Sequence, residues 1–256
     1  KNLLSDATGK VMYQPTLESA LGLFKLTMPG KNTNQKFADT QSLIEAAKKG
    51  TVGMHDVVHI NGKPSTPGRA MLASLLPSAL QGQVLHDMSF RMDKKGLNHV
   101  LEQLAQHHQG DFGKVVNNLK DLGNDTAFGV VRVPDATSKT PLQFHNQGGL
   151  AAATIPSGGA EFIPVGAHTL SLQDFIPDRV SRSKALSEAK ATIDKLPAGL
   201  TPQEKERRTI QAYMDATDSM RKYPMETAEK NPDNLFLMHR AGVKPSWDQS
   251  KQMKLA

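Results

Sequence analysis

The 256-residue chain contains no cysteine. That excludes a disulfide scaffold, a thiolate metal site and a cysteine nucleophile, and it leaves the redox compartment open. The chain also lacks any apolar run near the roughly 18 residues a membrane span needs. With 38% hydrophobic and 22% charged residues and a mean hydropathy of −0.43, a soluble protein is expected. The opening KNLLSDATGK has no long apolar core and starts at Lys1 instead of Met, so no signal peptide is visible and a fragment or processed product is expected. No G-x-x-x-x-G-K-[ST], G-x-S-x-G or D-x-D-x-D pattern occurs. A complete active site is therefore not legible, and a stand-alone hydrolase is disfavoured.

Lys and Arg number 31 against 25 Asp and Glu, a formal charge of +6 with an isoelectric point near 9.4. This favours nucleic acid or other polyanions as neighbours without requiring them. The length suits one large domain or two small ones.

Residues 15–27 place Leu17, Ala20, Leu21 and Phe24 on one helical stripe, with Pro15 near the start and Gly30 after the end. Asp39 to Lys49 repeats the pattern with Leu43, Ile44, Ala46 and Ala47 and stops at Gly50. Val57, Val58 and Ile60 then suit a strand. Arg69 to Leu80 reads as an apolar helix that Pro77 interrupts or ends. Leu97 to Leu104 and Val115 to Leu122 are two more helices, separated by the turn-prone Gln109-Gly110-Asp111. Between Val133 and Gly166 prolines and glycines crowd together with little periodicity, which predicts a loop-rich insertion or linker. Thr169 to Phe175 reads as a short strand or turn. A long polar helix is expected over about 178–196, and Pro197-Ala198-Gly199 breaks it. Thr201-Pro202-Gln203-Glu204 then supplies an N-cap, proline at N1 and glutamate at N3, opening a second helix to about Tyr223. So short a link predicts an antiparallel hairpin.

His55 and His59 flank Asp56-Val57-Val58 and mimic the paired histidines of zinc proteases, but the valines favour a strand that holds the two rings too far apart to share a metal. Asp111-Phe112-Gly113 spells the magnesium-binding tripeptide of kinases without any of its companions. His99, His107 and His108 point to different sides of a helix and read as solvated. Met214, Met220, Met225 and Met238 read as packing. No metal site is assigned within the chain.

Several segments, in order, resemble the large catalytic beta-prime subunit of multisubunit DNA-directed RNA polymerases. Gln14 to Leu23 (QPTLESALGL) resembles a proline-serine-glutamine-aspartate element and the helix after it, departing at Thr16, Leu17 and Glu18. Ser65 to Ala70 with Leu75-Leu76-Pro77 resembles T-T-V-G-R-A…-P-K. Gly166 to Asp174 resembles G-x-S-I-S-I-x-D. Gly199-Leu200-Thr201 and Ala216-Thr217-Asp218 match the tip and returning helix of the family's hairpin. Met238 to Ser246, with Gln249, Lys251 and Gln252, is similar to M-A-D-S-G-A-R-G-S-x-x-Q-I-R-Q, where Gly242, Ser246, Gln249 and Gln252 align without a gap. The stretch from Arg132 to Pro164 has no counterpart, and the divergence suits a virus-encoded, phage-type polymerase better than a cellular one.

The resemblance implies an α+β, mainly helical fold: a pore-like domain over about 1–132, the insertion at 133–166, and a funnel-like domain over 167–256 with the hairpin at about 178–223. It implies a part of a nucleotidyltransferase that forms the secondary channel for nucleotide entry. Lys244 stands where the family has an arginine or lysine touching the incoming triphosphate; a lysine supplies a point charge but loses the bidentate fork. Pro245 replaces a glycine there and restricts the loop. Arg240, Gln249 and Lys251 are further nucleotide-binding candidates, with an ordinary polar helix start as the alternative for each. Arg69 is expected to hold the fold together. No catalytic residue is expected in this segment: the carboxylates that hold magnesium for two-metal phosphoryl transfer would lie elsewhere on the polypeptide or on another subunit. Implied partners are the remaining polymerase, DNA, RNA and nucleoside triphosphates, with a regulatory factor at the hairpin tip, Lys195 to Thr201. The implied location is the cytoplasm, or a virion. The competing class is a non-catalytic basic module that binds nucleic acid or protein, with a steep salt dependence on DNA.

Overall fold

The structure, a computed structural model, describes residues 3–5, 7, 11–132, 143–147, 150–154, 162–164, 176, 179–219, 234–246 and 248–250. The fold is α+β and mainly helical. The chain divides into two compact units: Lys1–Thr169 with Met238–Lys244, and Leu170–Leu237 with Pro245–Ala256.

In the first unit, α1 (Glu18–Leu26) is buried at every position after Glu18, as befits a helix apolar nearly all round. It starts at Glu18, later than Pro15 suggests, because Leu17 adopts φ 53°, ψ −122° and turns the chain immediately before it. This helix lies backbone to backbone on α6 (Phe112–Ala127). A Cβ at Gly22 would stand 1.8 Å from the Gly123 carbonyl oxygen, and one at Gly123 would stand 2.2 Å from that of Ser19. Around this crossing the core gathers Leu23, Leu43, Val58, Met71, Leu101 and Leu119, all fully buried.

The expected helix after Asp39 is α2 (Thr40–Lys48), which starts on a reciprocal cap: Ser42 N–H donates to Asp39 Oδ1 at 2.7 Å and Asp39 N–H to Ser42 Oγ at 3.3 Å. Hydrogen bonds to Ser42 hold the Asp39 carboxyl below its ordinary range. The expected strand at Val57 is β2 (Val57–Ile60), the centre of a three-stranded sheet. It pairs in parallel with β1 (Asn32–Phe37) and antiparallel with β3 (Lys63–Ser65). The link from β2 to β3 is Asn61-Gly62, both at positive φ (50° and 77°), the mirror-image turn whose twist suits a hairpin. His59 lies in β2 and His55 before it; among the described residues no group of three His, Asp or Glu could hold a metal ion.

The Arg69 segment forms two helices, α3 (Pro67–Ser74) and α4 (Ser78–His86), with the break at Pro77 where proline demands it. After them come α5 (Lys94–His107), then α6 with Asp111-Phe112-Gly113 at its start. β4 (Val130–Arg132) pairs antiparallel with β7 (Phe162–Pro164), and β5 (Gln143–Gln147) with β6 (Leu150–Thr154). Strands thus occupy part of the stretch expected to be loop-rich, and its other residues lie outside those described, as do Thr169 to Phe175, Met220 and Met225.

In the second unit, α7 (Arg179–Asp194) and α8 (Pro202–Ser219) form the expected hairpin, packed through Ala185, Ala189 and Ala216. Its second helix opens on the cap read from the sequence: Glu204 N–H donates to Thr201 Oγ1 at 3.3 Å, and Thr201 N–H to Glu204 Oε2 at 3.0 Å. The expected end at Tyr223 lies outside the described residues. Next in the chain comes α9 (Asn234–Ala241), which from Met238 on belongs to the first unit.

Candidate functional site

Arg69 organises the ground on which the site stands. Its side chain is fully buried, and the guanidinium donates to four carbonyls: Thr27 (2.8 Å), Val84 (2.7 Å), Asp87 (2.9 Å) and Phe90 (2.5 Å). Burial lowers its pKa to about 10, with the Arg91 charge adding to the effect and Asp87 opposing it; the group stays protonated at neutral pH. These bonds tie the end of α1 and the end of α4 to the loop that leads into α5. Thr27 Oγ1 reinforces the tie by accepting from Met92 N–H at 3.1 Å.

At the end of that loop Asp93 caps α5, its carboxylate accepting from Lys95 N–H (3.0 Å) and Gly96 N–H (2.9 Å). Lys94 is the first residue of the helix. Against it lies the end of α9. Gly242 N–H donates to His239 O and Val243 N–H to Met238 O, each at 3.0 Å, a double closure with glycine at φ +75° that L side chains rarely adopt. A Cβ on Gly242 would sit 2.7 Å from Lys94 Cβ, so glycine is required both for the turn and for the approach. Val243 packs on the core.

Between these elements lies a cavity of about 190 Å³, walled by Pro15, Leu17, Ala20, Leu97 and Val243, with Lys94 and Lys244 also lining it. No carboxylate is among its described lining residues. Lys244 is exposed. Arg240 is exposed near the end of α9, close enough that its charge helps burial to lower the pKa of Arg91, against the pull of Asp87 and Asp93. Arg91, Lys94, Arg240 and Lys244 make this side of the first unit basic.

The other two candidates fall elsewhere. Gln249 belongs to the second unit, where its Oε1 accepts from Ser246 N–H at 2.8 Å and its N–H donates to Ser246 Oγ at 3.3 Å. That is a capping box, the polar helix start weighed as the alternative for this residue. Lys251 lies outside the described residues. The sequence reading missed Lys94 and the strained Leu17; no spacing rule joins residues so far apart in the chain, and the only local signal was Asp93 standing before a helix.

Comparison with known proteins bears out the resemblance over nearly the whole chain. Along 98% of its length the chain is similar to the DNA-directed RNA polymerase subunit beta′ of Deinococcus radiodurans, with 22% identity over 279 residues. It is similar to that of Thermosipho africanus, with 24% identity over 272 residues and the same coverage. It also matches that of Treponema pallidum, with 21% identity across 99% of the chain. The chain spans 18%, 14% and 16% of these relatives' lengths. No protein-family model matches it.

Proposed function

We propose that the chain is part of a DNA-directed RNA polymerase, contributed by its beta-prime-like subunit, and that it lines the secondary channel through which nucleotides enter. The observation that carries the reading is the end-to-end similarity to beta′ subunits, 98% of this chain at 22–24% identity. Low identity of this order accords with a virus-encoded, phage-type enzyme acting in a host cytoplasm or carried in a virion. No helix among the described residues is long and apolar enough to cross a membrane.

In this reading the chain supplies positioning and charge. Lys244 touches the triphosphate of the incoming nucleotide, with Arg240 adding to the positive field that draws it in. Its setting supports this: the lysine follows a rigid glycine turn, and the cavity beside it has cations but no carboxylate among its described lining residues. Carboxylates elsewhere in the polymerase would hold magnesium, which would supply charge neutralisation for phosphoryl transfer. The remaining polymerase, DNA and RNA are the partners, and the hairpin tip from Lys195 to Thr201 is a docking point for a regulatory protein.

The test is to purify the native assembly through this chain, assay magnesium-dependent nucleotide incorporation on DNA, and repeat with Lys244→Ala. The expected result is an active assembly whose nucleotide KM rises in the variant. An inactive, partnerless chain would move the protein to the class of basic binding modules, and an unchanged KM with unchanged rate would remove the role of Lys244.

A further inference from the structure

The cavity that Lys244 lines has a second cation. We infer that Lys94 is a binding residue that acts with Lys244 on the same polyphosphate, so that the two ammonium groups form one clamp; the identity of the ligand rests on the function proposed above. Both lysines line one cavity of about 190 Å³, far more than a single water occupies. Among the described residues neither has an ion-pair partner, and no carboxylate among the described lining residues competes for them. Their spacing is set by backbone: Gly242 closes on Lys94 Cβ and cannot carry a side chain, which fixes Lys244 two residues on. The Lys95 and Gly96 amides of α5 are engaged by Asp93, so they are not offered to an anion, which the lysine ammonium groups hold. The rest of the wall mixes apolar Leu17, Leu97 and Val243 with the uncharged polar Gln14, Thr16 and Asn98, so nothing in it repels an anion that the two ammonium groups hold by charge-assisted hydrogen bonds. Leu17 reaches the wall at φ 53°, ψ −122°, a conformation of the kind that persists only where the surroundings enforce it.

The ligand chemistry is a chain of linked phosphates, either the tail of a nucleoside triphosphate or free inorganic polyphosphate. The test compares wild type, Lys94→Ala, Lys94→Arg, Lys244→Ala and the double alanine variant in the assembled polymerase. The readouts are nucleotide KM, kcat, and inhibition by inorganic tripolyphosphate. Lys94→Ala keeps the Cβ on which Gly242 rests, so the fold of the turn is retained. The expected result is a KM increase of about 3- to 10-fold with kcat little changed, and recovery in Lys94→Arg. The double variant should lose less than the product of the two single losses, because the lysines share one ligand. A tripolyphosphate inhibition constant that rises in parallel assigns the clamp to phosphate alone; one that stays constant while KM rises assigns it to the complete nucleotide. If Lys244→Ala raises KM and Lys94→Ala changes neither KM nor inhibition, the clamp is overturned and the role of Lys244 stands. If Lys244→Ala is silent while Lys94→Ala is not, both the shared clamp and the function proposed for Lys244 fall.

Discussion

The core of the first unit is built of large side chains, among them Leu23, Leu43, Met71, Leu101, Phe112 and Leu119, whereas the helix pair of the second unit buries alanines: Ala185, Ala189, Ala212 and Ala216. Val180, Ile210, Tyr213 and Met214 of that pair stay exposed. A buried leucine or phenylalanine contributes about 1.5–3 kcal/mol, a buried methyl under about 1. The first unit can therefore hold a precise geometry, such as the Gly242–Lys94 approach, by packing from within. The hairpin owes its shape to local signals: a cap at Thr201, a tight link, and small residues that let two backbones come close. The position of charged groups at the cavity thus rests on core packing, while the hairpin rests on local signals.

The sharpest way to break this contrast is at Arg69. Arg69→Ala removes a donor from four carbonyls, in buried bonds at Thr27 and Val84 and part-buried ones at Asp87 and Phe90, and opens a void, so a loss of about 4 kcal/mol is expected in urea unfolding. Arg69→Lys should recover only part, because a point charge replaces a planar fork. Next is the helix crossing. Gly22→Ala or Gly123→Ala drives a methyl into a carbonyl at about 2 Å and should cost about 3 kcal/mol. Gly199→Ala in the hairpin link, with open space around it, should stay within about 0.5 kcal/mol. Equal effects at the two sites would erase the distinction between the regions.

What the sequence could and could not disclose follows the same line. Capping boxes and apolar stripes are local, so α1, α2, α5, α6 and the hairpin were legible, and so was the break at Pro77. The β2–β3 hairpin was overlooked although Asn61-Gly62 announces it. β1 has no such announcement: Asn32 to Phe37 reads NTNQKF and is exposed or half-exposed throughout, and its parallel pairing with β2 shifts register between Asn32 and Lys36, where Asn34 stands at positive φ. Lys244 entered through a motif. Lys94 could not, since the approach of α9 to α5 is a tertiary fact, and Gln249 carries a motif letter that a capping box explains equally well.

A smaller effect separates the units by pH. His55 is held below its ordinary pKa of 6.5, first by burial and then by the charge of Lys25, while a hydrogen bond from the ring to the Met28 backbone and the charge of Asp56 oppose the shift; its Nδ1 is buried without a partner. A depressed pKa means that the unfolded chain binds the proton more readily. Stability is therefore complete above about pH 6.5 and declines as pH falls through the folded-state value. His55→Gln should flatten that decline for the first unit, read as the urea midpoint between pH 7.5 and 5. An unchanged slope would show that His55 is not the group responsible.

The last effect belongs to the hairpin and should be local. Thr201 and Glu204 cap α8 reciprocally, and the bonds from the Thr201 hydroxyl and amide hold the Glu204 carboxyl below its ordinary 4.5. The ionised carboxylate is the acceptor, so its contribution is present above pH 4.5 and is lost as the pH falls through the lowered value. Thr201→Ala should cost about 1 kcal/mol of helix stability, read as faster amide exchange over the first turn of α8 in the full chain. Exchange across α1 and α6 should not change, because their crossing shares no group with this cap. If the loss instead spread to the first unit, the hairpin would be part of its cooperative core, and the contrast between packing and local signals would fail at its weakest point.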